Sequence, residues 1–420
     1  MKNNFVVNNF EKQYNMPDPA CVYKWGWSTI FLQSGTTASC HRTDPDFITA
    51  ENFENFHNTP AKLKAREDML SGNWPGHGCE YCKRIEDSGG ISDRTELSDQ
   101  LNKELVPLEL IRSPRSTRVS PTMIEVYFSN LCNMSCIYCG PKWSTVWENE
   151  ARKFNLYPKD LIDLWVGDRD YYQKVLPKFW EWLENNIDTV ARYNILGGEP
   201  FYQPELQTNI DFFETHPCPN LELTIFSNLK VSKEKFKKML EQLDSLISKN
   251  HLKSVYINCS FDCWGAQQEY IRTGVNLAQW EENFDILTIE FQKIKVRVHG
   301  TMISLTIKTI HDLVKKINHV NLYRSENNFI PLGYNLVHDP ASMNPDIFPK
   351  GFFDKDFDNI INIIVNDYDK NLMRGYQQNI NAGSYQPEMI KKLKTDLDEL
   401  DKRRGTDWKP LFPWLAEFNL

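Results

Sequence analysis

From residue 123 onward, short apolar runs alternate with longer segments of helical period. MIEVYFS (123–129), RYNIL (192–196), LELTIFS (221–227), SVYINCSF (254–261), KVRVHGTMISL (295–305) and FIPLGYNL (329–336) read as strands. Between them, 171–186, 204–216, 233–248, 277–294 and 309–318 place apolar residues at helical spacing. Proline opens the second of these at 204. Strands alternating with helices predict βα units and a parallel sheet. Six strands are short of the eight that close a barrel, so the pattern predicts a partial (β/α)6 barrel. This core spans 118–340. The chain before it, 1–117, is rich in Gly, Asn, Pro and Trp and lacks long periodicity. It reads as a small loop-rich module that needs a staple. The Pro/Ser/Arg-rich stretch 111–122 joins the two. Residues 341–420 read as a helical extension with an apolar tail, WKPLFPWLAEF.

Composition narrows the class. Of 420 residues, 41% are hydrophobic and 13% aromatic, enough to fill a sizeable core. Basic residues number 48 against 56 acidic, a net of -8, so no global attraction to nucleic acid or anionic lipid is expected. The first twenty residues lack the apolar stretch of a signal peptide, and no apolar run approaches the ~20 residues of a membrane helix. A cytoplasmic protein is expected. In that compartment ten cysteines point to metal or redox chemistry rather than disulfides.

Three cysteines, Cys132, Cys136 and Cys139, lie in SNLCNMSCIYCG, directly after the first core strand. Three thiolates on one loop can hold three irons of a cubane, whereas a closed cluster takes four. The missing ligand leaves one iron open to a small molecule. Structural zinc also wants four ligands, and none follows nearby in sequence; a zinc knuckle or three buried thiols is the plainer alternative.

This CxxxCxxC, with Tyr138 before its last cysteine, resembles the signature of the radical S-adenosylmethionine superfamily. The resemblance covers about 120–340 and implies a [4Fe-4S] cluster whose open iron chelates S-adenosylmethionine (SAM). It further implies reductive cleavage to a 5′-deoxyadenosyl radical that takes hydrogen from a substrate. Gly197, Gly198 and Glu199 of LGGEP resemble the family's GGE motif. The glycines permit close backbone approach, and the carboxylate can take the methionine ammonium. Ser227 and Asn228 resemble the small polar pair that contacts ribose and methionine. Ser260 and Asp262 of NCSFD resemble the ribose-binding SxD, and Arg272 of YIRTG an arginine that pairs with the methionine carboxylate. Turns and a surface ion pair are the plainer alternatives for these positions. Cys263, just past the fourth strand, is a candidate hydrogen-atom donor or extra ligand, while Cys259 reads as a small buried residue.

Cys21, Cys40, Cys79 and Cys82 form a second set, complete for zinc or for a fully ligated cluster. Their surroundings resemble the auxiliary-cluster modules called twitch or SPASM, although those follow the barrel and this one precedes it. The resemblance implies an auxiliary [4Fe-4S] cluster that assists electron transfer or substrate binding. His41 and His77 are the adjacent substitute ligands. Trp25, Trp27 and Trp74 read as shielding core, and Glu86 and Arg94 as an ion pair beneath the site. The function expected is a radical SAM oxidoreductase or modifying enzyme. It acts on a peptide or small metabolite and is served by a reductant such as flavodoxin or ferredoxin. A zinc-stapled binding module and an iron–sulfur electron carrier are the alternatives.

Overall fold

The computed structural model describes residues 9–76, 78–87, 92–99 and 103–418. Among the described residues, nine strands form one sheet: β1 (Trp27–Phe31), β2 (Thr36–Ala38), β3 (Asp46–Phe47), β4 (Met123–Tyr127), β5 (Arg192–Leu196), β6 (Cys218–Ser227), β7 (Leu252–Ser260), β8 (Lys295–Met302) and β9 (Leu332–Leu336). Their order is β3-β2-β1-β4-β5-β6-β7-β8-β9. The six strands expected from the sequence are β4 to β9, consecutive and parallel.

The N-terminal region joins this sheet instead of standing apart. β1 pairs parallel with β4, Trp27 opposite Met123 and Phe31 opposite Tyr127, while β2 and β3 add antiparallel to its edge. The region also builds its own small core from Phe10, Val22, Trp25, Leu105 and Leu110, closed by Trp27 and Met123. Trp25 and Trp27 are buried there, as expected of shielding aromatics.

One side of the sheet is apolar and covered. Ile195, Leu223, Ile225, Val255, Ile257 and Val298 share a core with the helices that follow each strand. The helix Lys233–Ser248 shows why it forms: Ser232 caps it by accepting from the Lys235 amide, and Phe236, Met239, Leu240, Leu243 and Leu246 make one buried stripe. The other side alternates differently. Asn194, Glu222, Thr224, Tyr256, Lys295, Arg297 and His299 remain at least partly exposed. Parallel sheets covered on both faces are apolar almost throughout, so this polar row marks an open face.

The C-terminal segment packs on the core. Trp408, Phe412 and Leu415 are buried, and the helix Pro387–Arg404 ends at Gly405 in the left-handed region. No helix among the described residues is long and apolar enough to cross a membrane.

Candidate functional site

The loop after β4 carries Cys132, Cys136 and Cys139, all partly buried. Its backbone is tied from every side. The Ser135 and Ile137 amides donate to Thr273 and Ile271 carbonyls at 3.0 and 2.8 Å. The Cys132 amide donates to Thr145 Oγ1 (3.2 Å), and Trp147 Nε1 donates to the Cys136 carbonyl (2.6 Å). Arg404, from the end of the C-terminal helix, donates to the Ser135 carbonyl (2.8 Å) while pairing with Glu150 (2.8 Å). These bonds hold the loop by its main chain and not through its three thiols, which pack at the edge of the core. Burial pushes the Cys132 thiol up to about 12, aided by the nearby Cys136 and Glu199, and pushes Cys136 and Cys139 up as well.

The turn after β5 locks onto this loop. Gly197 and Gly198 have φ of +87° and +52°. A Cβ on Gly198 would meet the Leu131 carbonyl oxygen at 2.2 Å. The close approach that demands glycine here is to the cysteine loop itself. Glu199 follows and is buried. Its Oε1 accepts from Ser227 Oγ (2.8 Å) and the Phe201 amide (3.1 Å), its Oε2 from the Asn228 amide (2.6 Å). Burial raises its carboxyl to about 7 against the lowering pull of these donors. Asn228 also donates to Asn133 Oδ1 (3.2 Å), and Lys230 Nζ reaches the Asn133 carbonyl (2.9 Å), so the end of β6 is stitched to the cysteine loop.

Asp262 and Arg272 meet each other. Arg272 Nε and Nη2 donate to the two Asp262 oxygens, both at 2.8 Å. Tyr138 Oη and the Thr301 amide complete the carboxylate's shell at 2.7 and 2.8 Å. The four acceptor sites of Asp262 are thus all used. In this structure Asp262 positions Arg272 and Tyr138 and offers no lone pair to a ribose. Ser260 stays on the open face, partly exposed. Cys263 is fully buried with Sγ 3.4 Å from Gln268 Oε1, and Cys259 is buried in the apolar core. Neither thiol faces an open space.

Cys21, Cys40, Cys79 and Cys82, brought from three segments, line one cavity together with Lys24, Trp74 and Arg94. Arg94 pairs with Glu86, donates to the Ala20 carbonyl (3.0 Å) and lies 4.8 Å over the Trp74 ring. His77 lies outside the described residues. His41 also lines this cavity, with Nδ1 3.5 Å from Glu125, a buried acid on β4 that accepts from Thr29 Oγ1 (2.9 Å). The motif search passed over Glu125, Arg404 and Lys230. No local pattern marks them, although the polar alternation in LELTIFS and KVRVHGT signals an open sheet face. Among the described residues, no three His, Cys, Asp or Glu side chains converge on a single-ion position.

No protein-family model matches the chain, and no curated protein matches it. Among solved structures it is similar to Streptococcus suis SuiB bound to S-adenosylmethionine: 15% identity, TM-score 0.36, 77% of this chain and 64% of that one. SuiB bound to the precursor peptide SuiA gives 14% and 0.35, covering 79% and 76%. TYW1 with a lysine–pyruvate adduct gives 17% and 0.27, covering 52% and 64%. The chain thus spans just under two thirds of SAM-bound SuiB. At these scores the likeness is too loose to argue chemistry. The fold and site define the class: an α/β protein with a mainly parallel sheet and a three-cysteine loop at a strand's C-terminal end.

Proposed function

We propose that the chain is a radical SAM enzyme. One observation carries the reading: three thiols on a loop held from outside stand beside the buried carboxylate of Glu199. The donor set fits the group. Cys132, Cys136 and Cys139 would hold a [4Fe-4S] cluster at three corners, and the loop offers no fourth cysteine. When bound, such a cluster would supply the one-electron reduction that cleaves SAM to methionine and a 5′-deoxyadenosyl radical able to take hydrogen from a substrate.

The chain's own residues do the binding. Glu199 spends three of about four acceptor sites on Ser227, Asn228 and Phe201, leaving one for an ammonium group. Arg272 is fixed by two bonds to Asp262, which leaves Nη1 to donate to the methionine carboxylate. Tyr138 is held by Asp262, and Ser260 and the Ser227–Asn228 end of β6 would contact the ribose. Cys21, Cys40, Cys79 and Cys82 would hold a second, auxiliary [4Fe-4S] cluster. Lys24, buried against them, favours an anionic metal–thiolate group. A peptide or small-metabolite substrate, and a flavodoxin- or ferredoxin-type reductant, complete the proposal.

Anaerobic reconstitution with metal counting, followed by dithionite and SAM, tests it. About eight irons per chain and released deoxyadenosine are expected. About four irons plus zinc would keep the radical chemistry and remove the auxiliary cluster. Zinc at the three-cysteine loop, with no deoxyadenosine, would overturn the reading.

A further inference from the structure

The open face of the sheet carries two neighbouring cations, Lys295 and Arg297, on β8. Tyr256, Asn258 and Ser260 of β7 stand opposite Lys295, Arg297 and His299 of β8. Lys295 Nζ lies 3.2 Å from the Tyr256 hydroxyl and 5.2 Å from its ring centroid. The Arg297 guanidinium lies 4.7 Å over the same ring. One tyrosine therefore holds two cations side by side. Neither has an ion-pair partner among the described residues, whereas Arg192 on the same face pairs with Glu222 at 3.3 Å.

An acceptor adjoins the cations. Asn258 is only 7% exposed, and its Oδ1 receives no hydrogen bond. A buried amide oxygen left without a donor is costly and rare in folded proteins. Its alternation with Tyr256 and Ser260 points it to the open face beside Arg297. His299 next to it is held neutral, because burial lowers its imidazole to about 4. The acids of this face stand elsewhere. Glu222 is engaged by Arg192 and Lys253, and Glu125 lies on β4, four strands from the cations of β8, ~19 Å at ordinary strand spacing.

We propose that this wall recognises an oxyanion on the substrate, gripped by Arg297 and Lys295, with a neighbouring N–H or O–H of the substrate donating to Asn258 Oδ1. A carboxylate beside an amide has this chemistry, and so does a phosphate beside a hydroxyl. The assignment rests on the SAM reading, with substrate extending down the open face from the strands' C-terminal ends to Lys295 and Arg297, which lie in the first half of β8. Asn258 lies four residues before Asp262, about 13 Å along an extended chain.

The test uses the full-length, anaerobically reconstituted protein at low salt, with binding followed by calorimetry and ligand-observed NMR. The probes are N-acetylglutamate, inorganic phosphate and the uncharged N-acetylglutaminamide. N-acetylglutamate or phosphate is expected to bind and the uncharged probe to fail, and whichever anion wins the competition identifies the oxyanion. Arg297→Gln, at an exposed position that the fold tolerates, and Lys295→Met should each weaken the bound anion about tenfold. Lys391→Gln on a distant helix should not. Equal affinity in Arg297→Gln and the parent protein, or equal binding of the uncharged probe, would overturn the proposal. Deoxyadenosine release from the same preparations reports separately on the SAM reading. Lost release with retained anion binding would sink that reading alone, and the reverse would sink only the oxyanion wall.

Discussion

The two cysteine sites answer charge in opposite ways. At the loop after β4, each buried cation has its acid: Arg272 lies on Asp262, and Arg404 on Glu150. In the N-terminal region Arg94 and Arg42 pair with Glu86 and Asp93, but the buried Lys62 and Arg66 have no acid in contact among the described residues. Lys62 is buried on neutral acceptors only, Ser28 Oγ, Thr37 Oγ1 and the Phe56 carbonyl, at 2.8–2.9 Å. Arg66, fully buried, donates to the Lys24 and Thr117 carbonyls and to Asn58. Burial drives Lys62 well below the ordinary lysine value, with Arg66 adding to the fall and Asp46, then Cys40, opposing it. Uncompensated positive charge of this kind suits a net-negative group close by, which four thiolates around a metal would provide. The cations at the core site are paired within the protein; under the proposed reading an anionic metal–thiolate group would complete the N-terminal site.

Removing a thiol tests the comparison most severely. Cys136→Ala should abolish deoxyadenosine release and lower iron by about four atoms per chain, while Cys82→Ala should spare the loop's iron. Loss of both iron sets in Cys82→Ala would show that the sites are not independent. Arg272→Ala strands a fully buried Asp262. Chemical denaturation should show a loss of roughly 3–5 kcal/mol, and a loss below ~1 kcal/mol would mean that the pair is not held as described.

Glu199 gives a pH signature. Its carboxyl is raised to about 7, so the folded state binds its proton more tightly than the unfolded chain does. The stabilisation is complete below the ordinary glutamate value and is lost as pH climbs through 7. Stability of the SAM-free protein should therefore fall between pH 5 and 8, and Glu199→Gln should flatten that fall. The difference between about 7 and the ordinary value corresponds to roughly 3 kcal/mol. Parallel pH profiles of variant and parent would refute this.

Gly198→Ala should cost about 1–3 kcal/mol or more, from a left-handed backbone and a Cβ pressed on the Leu131 carbonyl. Its melting point, compared with that of Gly405→Ala, where nothing stands within 4 Å, isolates the contact from the backbone strain. Lys62→Met has the smallest expected effect and the most telling sign. The metal-free chain should gain about 1 kcal/mol, while the N-terminal metal should dissociate faster to a chelator. Unchanged metal retention would break the charge argument.

Much of the core was legible. RYNIL matches β5 from end to end, and the other five strands appear with shifted ends. The three-cysteine loop, LGGEP and YIRTG declared themselves through short spacings. β1 to β3 did not. Trp27–Phe31 is buried at four of five positions and shows no alternation, and β2 is three residues long. Their place in the sheet depends on β4, almost a hundred residues onward. That Asp262 and Arg272 bond each other was not legible, because spacing shows which residues end a strand and not which of them meet.

The amino-acid order alone settled the alternation of strands and helices, the three thiols on one loop and the presence of a second set of four. These are properties of neighbours along the chain, set by periodicity and reach. Folding decided that the N-terminal strands would extend the sheet, that Asp262 would hold Arg272, and that Lys295 and Arg297 would share Tyr256 on an open face. Those outcomes depend on register and burial, which arise only when distant segments compete for the same space.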